Sequence, residues 1–325
     1  MKRLIIVLIV TALLLGIILQ KQLITHLKII LFITEEFPQI PIKPLNLVTL
    51  APFHDKKGFE TKNGKVVADL FIPVSPGPDS GVILAMGVKT SEKDKLILLH
   101  FAQTMARLGY ITFWPRLEVL DKGESLPEEP GTFIEGFKYL EGLPQTDPER
   151  ISFVGFSVGS STAFVVSSNP QIADKVHSLV FFGGYYDIFD YILALYKQSL
   201  PLRGNQTSWK PHQDAINHAM TLLAAKGVAT DSAVTSDSKD ANRLKGYSPK
   251  EFVSDFKAKI FILHDKSDTY VPYTQSIKLY EAMPKDQVAA YHISDLFEHV
   301  QPNRPINIME LVKLYGFLYK VFYVL

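Results

Sequence analysis

Short apolar runs alternate with segments of helical periodicity from residue 65 to the end of the chain. After the turn signal Asn63-Gly64, Lys65–Ile72 has the character of an early strand, and Gly81–Met86 that of a strand buried on both faces. Asp94–Leu108 carries apolar side chains at helical spacing and stops at Gly109, a good C-terminal cap. Tyr110–Trp114, Arg150–Val154, Val176–Phe182, Lys259–Leu263 and Gln287–Ile293 then read as strands. Thr132–Leu140, Val158–Ser168, Thr274–Ala282 and a last segment from about Ile306 read as helices. This rhythm predicts an α/β fold whose mostly parallel sheet is covered on both faces.

Two stretches depart from it. Pro38, Pro41, Pro44 and Pro52 break up the approach to the first strand, so residues 35–64 are expected to be an extended linker. Tyr185–Tyr247 is more polar, ends in a Ser/Asp/Lys-rich patch, and is too long for an ordinary loop. It is expected to be a helical insertion over the sheet edge.

The N-terminus differs from all of this. Leu4–Leu19 is uncharged and almost wholly apolar, lying between Lys2-Arg3 and Gln20-Lys21-Gln22. As a helix it would rise about 24 Å, somewhat short of a roughly 30 Å hydrocarbon layer. The small residues of a cleavage site are missing, so residues 1–34 are expected to form an uncleaved single-pass membrane anchor in contact with lipid. Leu23, Ile24, Leu27, Ile30 and Leu31 continue the helical spacing, partly inserted, with Lys21 and Lys28 reaching headgroups. The alternative for this second part is packing on the globular domain. Charge barely specifies orientation; the folded domain is expected on the extracytoplasmic side. At the other end Ile306–Leu325 should pack on the sheet, its last five residues touching lipid.

With 34 Lys+Arg against 33 Asp+Glu, no positive field is available for nucleic acid. The absence of cysteine excludes disulfides, thiolate metal sites and a cysteine nucleophile. His26, His54, His100, His177, His212, His218 and His292 have no metal-ligand spacing, so neither metal nor cofactor is expected. Glu124, Glu128 and Glu129, between prolines, suit a solvated loop.

Gly155-Phe156-Ser157-Val158-Gly159 joins a strand to a helix, the setting of a nucleophile elbow, in which flanking glycines let the backbone bend and lift the serine hydroxyl clear. A serine at a helix start is also an ordinary N-cap. Acyl transfer needs an imidazole to take the hydroxyl proton and a carboxylate to fix its tautomer. His264-Asp265-Lys266-Ser267-Asp268 follows one strand and Phe297-Glu298-His299 follows another. Ser157, Asp268 and His299 each fall beyond the carboxyl end of a strand, which in a parallel sheet is one edge. Asp187, after the strand ending at Phe182, is the rival acid; His264 suits a structural hydrogen bond.

With these motifs the sequence resembles the α/β-hydrolase superfamily, in particular its esterase, dienelactone-hydrolase-like and prolyl-oligopeptidase-like members, from about Val66 onward. The resemblance implies an eight-stranded sheet over 65–325, a lid at about 185–247, and a Ser157/Asp268/His299 triad. Such proteins commonly carry H-G-x-x-D-x-x-V-P around the acid; here His264, Asp268, Val271 and Pro272 are kept and Asp265 replaces the glycine. The resemblance also implies an oxyanion hole of main-chain N–H groups, from Val158 and from Val88 in Met86-Gly87-Val88, where His-Gly is frequent. The expected activity is hydrolysis of carboxylic esters, of small-molecule or lipid-derived acyl substrates. A peptidase and a non-catalytic, membrane-tethered binding protein remain as alternatives.

Overall fold

The computed structural model describes residues 2–61, 64–75, 77–87, 92–116, 130–225, 227 and 244–325. Among the described residues ten strands are formed: β1 (Phe53–Thr61), β2 (Gly64–Ile72), β3 (Asp79–Ala85), β4 (Tyr110–Arg116), β5 (Thr146–Phe156), β6 (Val176–Phe182), β7 (Ser199–Leu202), β8 (Asn205–Ser208), β9 (Lys259–Asp265) and β10 (Val288–Ser294). The helices are α1 (Lys2–Glu36), α2 (Leu45–Val48), α3 (Glu92–Arg107), α4 (Pro130–Glu141), α5 (Val158–Ser167), α6 (Ile188–Lys197), α7 (Gln213–Ala225), α8 (Thr274–Ala282) and α9 (Ile308–Val324).

Eight strands make one sheet in the order β1-β2-β4-β3-β5-β6-β9-β10. β1 and β2 pair antiparallel, as do β2 and β4, and every later neighbour is parallel. The parallel strands are continuous apolar runs because both their faces are covered. Along β5, Val154 and Phe156 turn toward a core shared with α1, α3 and α9, whereas Ile151 and Phe153 turn toward α4, α5 and α8. A third apolar cluster gathers α6, α7, Val158 and Val271.

Three expectations are corrected. The linker over 35–64 is instead the end of α1, the short α2 and the edge strand β1, which pairs with β2 from Phe53↔Ile72 to Thr61↔Gly64. Only Phe59 of that strand is buried, so its sequence lacks the alternation that announces a strand; polar residues on an edge also discourage pairing with other chains. The C-terminal tail meets the core and not lipid: Val321, Phe322 and Leu325 are all buried. Finally, the second half of α1 packs on α9 and α3, burying Ile29, Leu31, Ile33 and Phe37 in the domain core.

The expected membrane-spanning helix is not shown. Among the described residues no helix is long and apolar enough to cross a membrane, and the side chains of 4–15, 17 and 18 lie outside those described. The turn at Asn63 and the acidic loop at 124–129 also lie outside them. The stretch expected to be an insertion contains α6 and α7 together with the unforeseen β7–β8 hairpin.

Candidate active site

Ser157 sits between β5 and α5 with φ 55° and ψ −137°, a conformation rare for a residue bearing a side chain. Its N–H donates to Phe182 O at 2.8 Å, tying the elbow to the end of β6. The flanking glycines are demanded by contact. A Cβ at Gly155 would lie 2.4 Å from Ser160 Cα, and one at Gly159 would lie 2.4 Å from Ala85 O. The strained turn is therefore held by the close approach of α5 to β3. Val158 opens α5, so its N–H has no acceptor within the helix. Val88, the other expected oxyanion donor, lies outside the described residues.

The carboxylate partner of His299 is Asp268: Nδ1 and Oδ2 are 2.7 Å apart. Asp268 is 2 % exposed, and its Oδ1 accepts the N–H groups of Tyr270 and Val271 at 2.7 and 3.0 Å. Burial alone would raise the acid, yet the charge of His299 and hydrogen bonds from His264 and His299 hold it well below the ordinary carboxylate range. An anion at Asp268 requires the proton of neutral His299 on Nδ1 and leaves the Nε2 lone pair free to act as a base.

The rival acid is engaged elsewhere. Asp187 caps α6 by accepting the N–H of Phe189 at 2.9 Å and pairs with Lys250 at 2.9 Å. His264 is fully buried, with Nε2 2.9 Å from Val271 O and 3.2 Å from Asp268 Oδ2, and Nδ1 2.6 Å from Ser276 Oγ. Two acceptors at Nε2 place the proton there, so His264 is held by hydrogen bonds and braces the loop that carries Asp268.

Serine and histidine lie on one cavity at the carboxyl edge of the sheet. Gly183 follows the residue that binds the Ser157 N–H, and a Cβ built on it would lie 3.7 Å from both Asp268 Oδ2 and His299 Cε1. Ser157 and His299 line a single cavity of about 770 Å³. No group of side chains able to hold a metal ion occurs among the described residues.

Several contributors carried no motif. Asp265, which departs from the usual glycine, is fully buried and accepts the His299 N–H at 3.3 Å. His299 itself has φ 58°, so its loop is strained and this bond helps to fix it. Burial chiefly, with repulsion from Asp268, raises the Asp265 carboxyl to about 6, against the N–H groups of Ser267 and His299 and the charge of Arg304. Tyr270 stacks on the His299 ring at 4.8 Å, and His212 on Tyr270 at 4.6 Å. Trp209 donates Nε1–H to Asp268 O at 2.8 Å, so the insertion also braces the acid loop. Only the Gly-to-Asp change at 265 was visible as a departure; the rest depends on contacts between distant segments.

No protein-family model and no curated protein matches the sequence. Solved structures do match the fold. An acylaminoacyl peptidase in complex with Z-Gly-Gly-Phe-chloromethyl ketone aligns with a TM-score of 0.61 at 16% identity, over 87% of this chain and 43% of its own. A 2,6-dihydroxy-pseudo-oxynicotine hydrolase aligns at 0.57 and 15%, over 84% and 69%. The esterase domain of a Rhodothermus marinus protein aligns at 0.52 and 15%, over 83% and 95%. The chain thus spans less than half the length of that peptidase. At such identities the likeness establishes a shared architecture, that of the α/β-hydrolases, and not an activity.

Proposed function

We propose that this chain, an α/β-hydrolase by fold, is a serine hydrolase that cleaves carboxylic esters through an acyl-enzyme. The observation that carries the reading is the 2.7 Å Nδ1 to Oδ2 contact of His299 and Asp268 in the cavity that Ser157 also lines. His299 Nε2 takes the Oγ proton as Oγ bonds to the acyl carbon. The proton passes to the alcohol oxygen as the C–O bond breaks, and the alcohol leaves. Water then gives a proton to the same nitrogen and its hydroxyl to the acyl carbon, and Oγ departs reprotonated. The Val158 N–H, and that of Val88 in the part not described, would bind the developing oxyanion, a contribution of about 3 kcal/mol for a single donor.

A fluorophosphonate should label the full chain, and Ser157→Ala should abolish both labelling and hydrolysis of a short-chain p-nitrophenyl ester. Labelling that persists in the variant would refute the assignment. Faster cleavage of the matched anilide would favour the peptidase reading that the peptidase likeness suggests. Hydrolysis and labelling both absent from the wild-type chain would leave the non-catalytic reading.

Attachment to a membrane belongs to the same proposal. The apolar run 4–19 in sequence, and the exposed Leu23, Ile24, Leu27 and Ile30 that follow it on α1, support a chain held at a bilayer, its hydrolase domain proposed to be extracytoplasmic.

A further inference from the structure

The cavity that contains Ser157 joins two apolar clusters. One part of its wall, including Ile188, Tyr191 and Ala219, belongs to the α6–α7 cluster. Another, including Leu98, Phe101, Val180, Leu318 and Phe322, belongs to the core between the sheet and helices α1, α3 and α9. The reactive serine stands where the two meet. Protein cores are packed nearly as densely as organic crystals, with few voids larger than a water molecule, so continuous space on this side of the sheet is a binding feature and not loose packing.

The second limb runs along the strands. Leu325 lines the same cavity, and its main-chain oxygen accepts hydrogen bonds from Ser80 Oγ and Arg150, both at 2.6 Å, at the sheet end where β3 begins. Ser157 stands at the opposite end, where Ala85 pairs with Gly155. The rise from Ser80 to Ala85 is about 17 Å. Ring contacts follow this path: Phe156, next to the serine, meets Phe101 at 5.1 Å, Phe101 meets Phe32 at 5.9 Å, and Phe32 meets Phe322 at 5.3 Å.

We propose that this limb is an acyl site and that the substrate is an ester of a long-chain fatty acid. The proposal rests on the serine-hydrolase reading and adds its substrate class. A peptide lying in the limb would bury N–H and C=O groups against aromatic and aliphatic side chains with almost no partners, which an alkyl chain does not require. Polar groups gather instead at the His299 loop, where Gln301 bonds Asp94, and they suit an ester headgroup at the mouth. With the acyl carbon at Ser157, the chain lies under α1 and α9 and the alcohol faces α6 and α7.

The test uses the purified full chain with p-nitrophenyl acetate, octanoate and palmitate. The wild type should show kcat/KM at least tenfold higher for octanoate than for acetate. Leu318→Trp and Val180→Phe, each filling the limb, should lower the palmitate-to-acetate ratio tenfold or more. Independently of catalysis, Ser157→Ala should bind a dansyl-labelled undecanoic acid that palmitate displaces, and Leu318→Trp introduced into that variant should weaken binding at least tenfold. Binding without hydrolysis of any ester would support the limb and refute the serine-hydrolase reading. Hydrolysis that declines from acetate onward, with no displaceable fatty-acid binding, would overturn the acyl site and leave that reading intact. Should Leu318→Trp fail to fold, Val180→Phe and the binding measurement on Ser157→Ala decide the question.

Discussion

Glu36, at the end of α1 and on the cavity wall, makes stability depend on pH in a way that one substitution can isolate. Its side chain is 12 % exposed; Oε1 has no hydrogen-bond partner and lies 3.8 Å from His100 Nε2. Burial chiefly, with repulsion from Glu35, pushes the carboxyl from 4.5 to about 7, against a hydrogen bond from Thr104 and the charge of Lys43. The folded pKa is raised, so between 4.5 and about 7 the folded chain holds a proton that the unfolded chain has lost. Stability conferred by this group is then complete below the unfolded value and falls as pH rises through that window. At about 1.4 kcal/mol for each pKa unit, the total loss is on the order of 3 kcal/mol. Glu36→Gln removes the titration while keeping size and polarity. Urea unfolding of both chains at pH 4.5 and pH 8 should show the variant gaining about 3 kcal/mol on the wild type between the two, whatever its offset at the lower pH. Because all other groups titrate in both proteins, the comparison cancels them. A stability difference that is flat with pH would refute the argument and place the carboxyl in contact with water.

Two further outcomes are expected. Asp265→Gly, which restores the residue usual at that place, should reduce kcat/KM on a short ester roughly ten- to hundredfold with unchanged circular dichroism, because the strained His299 loop loses a charged acceptor; unchanged activity and pH profile would show that the loop is fixed without it. The full chain should remain with membranes after an alkaline carbonate wash and be released once residues 4–19 are removed; release of the intact chain would refute attachment.

The helices α5 and α8 and the strand β6 match their sequence signals almost residue for residue, because apolar runs of strand length and apolar positions at helical spacing each have one favourable way to be buried. β1 escaped because Phe59 is its only buried residue, and an edge strand owes its place to pairing and not to a burial pattern. The second half of α1 illustrates the same limit. Leu23 and Ile29 are equally apolar and helical in sequence, yet the first is exposed and the second lies in the core, since only the position of α9 and α3 distinguishes the two faces.

The site divides along similar lines. Sequence announced the elbow, because a serine flanked by glycines at 155 and 159 stands between an apolar run and a helix, and it named the histidine and two candidate acids from their places after strands. Only the tertiary structure shows which of those carboxylates contacts the histidine. Asp268 and Asp187 are chemically the same and follow neighbouring strands, but one loop delivers its carboxylate to His299 while the other places it at a helix N-terminus beside Lys250. The role of Asp265, the bracing by Trp209 and Tyr270, and the limb behind Ser157 were illegible for the same reason. Each arises where surfaces of distant segments meet, and a pattern read along the chain reports which side chains seek burial, not which of them leave space between.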